Sequence, residues 1–239
     1  MGGNAEGAAE RRPRHPWSDD ARSAACNFAF GDLFNNLPQL AVFDGHLHVP
    51  TLAAAVGAIA GYSAQCALRS EHGGWPAGMH VATTKSGAQF FFGDPLNNAL
   101  IAHSAAEESL RAWSMIAGAA VAVGVQPPPP EPMFAHVSAA IGEDRGFYPT
   151  TAVAPRLPGL ELLKRVWPLA CDCFEGRLSG KVMRDEAAAP QIWRPVIAAH
   201  VAQHGLRRTQ ASLDPATGVA IAFESAIYAS KIDPKLVDT

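Results

Sequence analysis

From Thr51 to Leu68 the chain carries no charged side chain, and within that run Ala53, Gly57, Gly61 and Ala64 recur at helical spacing. This pairing restricts the fold more than any other feature. A stretch without charge is buried, and small residues three and four apart lie on one helix face, where they let a neighbouring backbone approach closely. Each glycine inside a helix costs ~1 kcal/mol relative to alanine, so close packing has to compensate. The reading is a helix from about Thr51 to Glu71, with Leu52, Val56, Ile59 and Leu68 supplying bulk, at the centre of a helical assembly. The same face is the expected surface for self-association. The run is rich in Ala and Gly and contains Tyr62, Ser63 and Gln65, so it reads as a core helix and not as a membrane span. The second apolar run, Ala112 to Val125, is too short to span.

The second constraint is a hairpin. His80–Thr84 and Ala88–Phe92 flank Lys85-Ser86-Gly87, where Gly87 takes positive φ without steric cost. Gly93 ends the return strand. Asp94 reads as an N-cap and Pro95 as the first helical residue, with Asn97 and Asn98 in the first turn. Phe28–Asn36 echoes Phe90–Asn98, with six of nine positions identical. The echo predicts the same local solution twice: short strand, Gly break, Asp cap, helix. Asn27–Phe30 is therefore expected as a third strand. The predicted fold class is mainly α with a small antiparallel β element, a bundle-like helical core carrying a two- or three-stranded hairpin sheet.

Residues 1–17, rich in Gly, Ala, Glu, Arg and Pro, read as a disordered tail without a secretory signal. Ser18-Asp19-Asp20 offers caps for a first short helix. Residues 18–239 read as one helical domain, with 127–132 (Pro-Pro-Pro-Pro-Glu-Pro) as a stiff connector. Further helices are expected from Ala105 to Val123 behind a Ser104–Glu107 capping box, and from Met133 to Ile141. Leu160–Phe174 should be bent or divided by Pro168, and Pro190–Gln203 kinked by Pro195. The last helix follows an Asp214-Pro215 cap. Gly142–Gly159 is irregular. Glu224, near the inner face of the last helix, requires a partner if buried.

Net charge is −3 and no basic stripe exists, which argues against nucleic-acid binding. Cys26, Cys66, Cys171 and Cys173 form no Cys-x-x-Cys pair, so free thiols in a reduced, cytoplasmic setting are expected. No phosphate loop or nucleophile elbow is present. The leading functional reading is a protein that binds a partner or a small molecule, with no cofactor. Asp94, Asn97, Asn98 and His103 are its candidate ligand residues, and acid–base chemistry at Asp94, Asn97 and Asn98 is a further option.

The alternative is a metal-dependent hydrolase or lyase. Asp44-Gly45-His46-Leu47-His48 resembles the first-strand metal motif of amidohydrolases, in which alternate histidines share one face of a strand. The resemblance implies a divalent metal on His46 and His48 and a (β/α)₈ barrel, which the long Ala-rich segment after the motif does not suit. His200 and His204, one helical turn apart, are a second candidate pair. His80 and His103 would complete a set.

Overall fold

The computed structural model describes residues 15–101, 111–142, 146–178 and 188–237. Eight α-helices and two small antiparallel hairpins occur among them. The chain is mainly α with a minor β component.

Helix α2, Val49–His72, is the axis of the packing. Every residue from Ala53 to Gln65 is buried. His48 caps its start, Pro50 stands in the first turn, and Gly73, at φ 64°, closes its end through an N–H donated to the Arg69 carbonyl. Helix α8, Pro215–Lys231, lies along the small-residue face. A methyl placed on Gly57 would come within 2.6 Å of the Ala222 carbonyl carbon, and one on Gly61 equally close to that of Ala226. The glycines thus permit backbone-to-backbone contact. Because α8 fills this face, its contacts are made within the chain.

Around this pair stand α7 (Arg194–Arg208), α6 (Gly159–Phe174) and α3 (Asp94–Leu100) against α2, and α5 (Pro130–Ala140) against α8. Helix α4 (Ala112–Val121) packs on α7 and α8, and α1 (Ser23–Asn36) on α7 and α6. By length and composition α2 is the one helix among the described residues able to cross a membrane, but 78% of its apolar window is buried inside the molecule. Its apolar surface is therefore matched by neighbouring helices. Gln65, fully buried on α2, donates to the carbonyls of Ser230 and Ile232 at 2.8 Å each, satisfying groups that the end of α8 leaves open.

The expected hairpin forms from β3 (His80–Thr83) and β4 (Gln89–Phe92), with Val81 opposite Phe91 and Gly87 at φ 84° in its turn. Its further backbone partner is not Asn27–Phe30. Phe90 instead bridges to Ile232, just beyond α8. Residues 27–30 belong to α1, which buries Ala25, Cys26, Ala29 and Leu33 at helical spacing. The two Phe-Gly-Asp segments therefore adopt different structures. The first has Leu33 where the second has Pro95, and a leucine lets a helix continue where a proline favours a helix start.

Several other expectations change. Gly93, at φ 154°, is the N-cap of α3. Asp94 is already helical and its carboxylate makes no capping bond. Asp214, by contrast, accepts from Thr217 N–H at 2.9 Å as expected. Helix α5 starts at Pro130, inside the proline run, since prolines fit a first turn. Pro168 leaves α6 undivided, and Pro195 lies in the first turn of α7, where it breaks no helical bond. Trp17, assigned to the tail, is fully buried and donates to Asn27 Oδ1. Residues 1–14, His103 and the Ser104–Glu107 box lie outside the described residues. The polar corner at Asp44 is a second hairpin, β1 (Val42–Phe43) and β2 (His46–Leu47), whose turn residues Asp44 and Gly45 both have positive φ, the pattern of a two-residue turn.

Candidate functional site

Where α1, α2 and α7 meet, their side chains leave a cavity of about 400 Å³. Phe34, Leu52, Val56, Val201 and Leu206 line it, with Arg208 at one side. The space exists because Ala53, Ala202 and Gly205, also in its wall, are too short to fill it. A Cβ on Gly205 would meet nothing within 4 Å. Leu47 of β2 lines the cavity while 41% exposed, so it stands at the cavity's mouth, and Asn35 and Thr209 are uncharged polar members of the lining. The guanidinium of Arg208 lies 5.4 Å from the centroid of the Phe34 ring, and Arg208 is the charged residue of the lining. The volume falls within the ~300–1,000 Å³ of small-molecule pockets, which combine apolar walls with few polar groups.

Phe34 also joins a cluster of rings, with His204, Phe30, His200, Trp17 and His15. His200 and His204 do share a face, with ring centroids 4.5 Å apart. Both nitrogens of His200 are already engaged: Nδ1 lies 3.1 Å from Gln203 Oε1, and Nε2 lies 3.1 Å from His15 Nδ1. Burial, with the neighbouring His204 and His15, lowers the His200 pKa to about 4. Burial lowers that of His204 too. The pair is built as neutral packing rings.

The His46/His48 candidate separates in the same way. His46 is exposed on β2. His48 caps α2, with Nδ1 2.8 Å from Thr51 Oγ1 and accepting from Thr51 N–H. Burial, and secondarily Arg156, lower its pKa. His80 is exposed on β3. Among the described residues, no group of three or more His, Cys, Asp or Glu side chains is placed to hold a metal ion. The described β-structure is two two-stranded hairpins, and no barrel forms from it.

Asp94, Asn97 and Asn98 do come together. With Ile101 and Phe134 they line a second pocket, of about 330 Å³. Asp94 and Asn98 are exposed and Asn97 is half-buried. Behind this wall is Lys231, only 2% exposed, whose Nζ lies 3.3 Å from Asn97 Oδ1. Lys231 is absent from the sequence-derived candidates. Its one signal there is a lone lysine closing a long apolar helix, a residue type seldom fully buried. Glu224, two turns earlier on α8, is 4% exposed and has the partner it requires: it accepts from Thr150 N–H at 2.7 Å, with His136 Nε2 at 3.7 Å. Burial raises its pKa.

No protein-family profile, curated protein or solved structure matches the chain.

Proposed function

We propose that the protein binds a small amphipathic molecule between α1, α2 and α7, with the apolar body in the cavity and an anionic head at Arg208. The observation that carries this reading is the 400 Å³ cavity with apolar walls and a single charged lining residue, a cation. An apolar ligand of that size removes its own surface and that of the partly exposed Leu47 and Leu52 from water, at ~25 cal/mol per Å². The arginine then selects a carboxylate or similar anion over an alcohol. A reduced compartment such as the cytoplasm is part of the proposal. It is supported by four free cysteines, three of them with thiols that burial pushes up to about 11 (Cys26 and Cys171) and about 12 (Cys173), a range in which thiolate is scarce.

Decanoate and decanol are the probes, read by thermal shift and calorimetry. Decanoate at 100 times its Kd stabilises by about 2.7 kcal/mol, a rise of roughly 5–10 °C for a chain of this size. Gly205→Leu, which extends a side chain into open space, abolishes binding of both probes. Arg208→Gln weakens decanoate but leaves decanol unchanged. Decanoate binding that survives Gly205→Leu unchanged would place the ligand elsewhere and overturn the reading.

A further inference from the structure

A buried amine lies directly behind the wall of the second pocket. Lys231 Nζ lies between two phenyl rings, 5.0 Å from the centroid of Phe92 and 5.8 Å from that of Phe134, and contacts Asn97 Oδ1. The elements packed around it contribute Phe92 from β4, Phe134 from α5, Asn97 from α3 and, beside it on α2, the uncharged Gln65. The charged group lining the adjoining pocket is Asp94, which is exposed at its rim. No carboxylate pairs with Lys231 among the described residues. Two of the three groups that touch the amine, Asn97 and Phe134, also form the pocket wall. Lys231 itself does not line the pocket, and the half-buried Asn97 side chain is the polar group that both contacts Nζ and faces the pocket.

We propose that Lys231 is a carbonyl-reactive lysine, forming a reversible imine with a small aldehyde or ketone held against Ile101 and Phe134. A buried lysine without a carboxylate partner loses solvation of its ammonium form and keeps a larger share of neutral amine. Here burial lowers its pKa to about 8. This is the activation that imine-forming lysines use. The Nζ lone pair adds to the carbonyl carbon as the C=O π bond breaks. The oxygen takes up two protons, both ultimately from nitrogen, and leaves as water while C=N forms. The sum is amine plus carbonyl giving imine plus water, with no oxidant or reductant. Asn97 Oδ1, an acceptor from Nζ, holds the amine at the pocket wall until a ligand enters. The site is separate from the α1/α2/α7 cavity, and either proposal stands without the other.

The test treats the native protein at pH 7.5 with benzaldehyde and sodium cyanoborohydride, which reduces an imine to a stable benzylamine, followed by peptide mass mapping. Exposed Lys85 and Lys235 serve as internal references. The expected result is reductive benzylation at Lys231 at least ten-fold faster than at either reference. Asn97→Ala, which opens the wall, is expected to raise the Lys231 rate further, and Lys231→Arg to remove that adduct alone. Labelling confined to surface lysines, labelling of Lys231 no faster than that of Lys85, or an adduct at Lys231 only after unfolding in guanidinium would each overturn the proposal.

Discussion

The contact between α2 and α8 permits a sharp test, because two effects of known size oppose each other at Gly57 and Gly61. Gly→Ala in a helix interior gains ~1 kcal/mol from propensity alone. At Gly57 the new methyl would lie 2.6 Å from the Ala222 carbonyl carbon and 2.9 Å from its Cα; at Gly61 the distances to Ala226 are 2.6 and 2.7 Å. Carbon atoms prefer ~3.5–4.0 Å, so each methyl falls short by roughly 1 Å. The obstruction is backbone in mid-helix, which cannot rotate aside as a side-chain tip does. The helices must separate, and a gap of 0.5–1 Å forfeits about a quarter to a half of the dispersion well for atoms facing it. Overpacking typically costs 1–3 kcal/mol, and a rigid obstruction belongs at the upper end. After the propensity gain, each single substitution should destabilise by about 2 kcal/mol, and the pair by less than the sum, since one separation of the helices accommodates both methyls. For a chain of this length that is roughly 4–8 °C for a single change. Gly31 is the internal reference: it is also helical, yet a methyl there meets nothing within 4 Å, so Gly31→Ala should stabilise by up to ~1 kcal/mol. Urea denaturation of the three variants gives the comparison. If Gly57→Ala or Gly61→Ala matches Gly31→Ala in sign, the close approach of α2 and α8 is not how the protein packs.

Other consequences are smaller but equally checkable. His200 titrates near 4 in the folded protein and near 6.5 unfolded, so between these values the unfolded chain holds the extra proton and stability falls as pH drops from about 6.5 to about 4. The full shift corresponds to about 3 kcal/mol, and partial solvent contact reduces it to about 1–2 kcal/mol. Denaturation midpoints at several pH values should show this slope in the wild type and a shallower one in His200→Gln; equal slopes would remove His200 as its cause. Glu224→Ala takes the acceptor from Thr150 N–H and should cost about 1.5–3 kcal/mol, while Glu224→Gln, which keeps an acceptor, should cost less than half of that in the same urea experiment. Asp214→Ala should lose the ~1 kcal/mol of a side-chain cap. Asp94→Ala, where the carboxylate caps nothing, should stay within ~0.5 kcal/mol, and a loss at Asp94 equal to that at Asp214 would contradict the observed start of α3.

The sites divide along the same line as the fold. Asp94, Asn97 and Asn98 were identifiable because they are close in sequence and lie on one short helix, so a local pattern places them together. The requirement that Glu224 find a partner was also legible, since a carboxylate on a buried helix face admits few outcomes. Its partner, the Thr150 N–H, was not, because an irregular segment leaves no periodic trace. The amidohydrolase-like pentapeptide misleads for the opposite reason. Alternation puts His46 and His48 on one strand face only if the strand continues, and here it ends at Leu47, leaving His48 as a helix cap.

What the amino-acid order determined by itself was local or one-sided: the buried small-residue helix, the β3–β4 hairpin with Gly87 in its turn, the Asp214 cap and the mainly helical class. Each follows from periodicity, backbone freedom or an absent charge, which act over a few residues. Tertiary structure alone decided that α8 occupies the glycine face, that one Phe-Gly-Asp segment is helical while the other breaks a strand, and that Ile232 pairs with the hairpin. It also decided that Lys231 lies behind Asn97 and that Gly205 and Ala202 leave a cavity beneath Arg208. A cavity is volume that several helices fail to fill, and a buried lysine depends on partners 97 to 139 residues away. Both are set by how helices cross, a quantity that no single stretch of chain encodes.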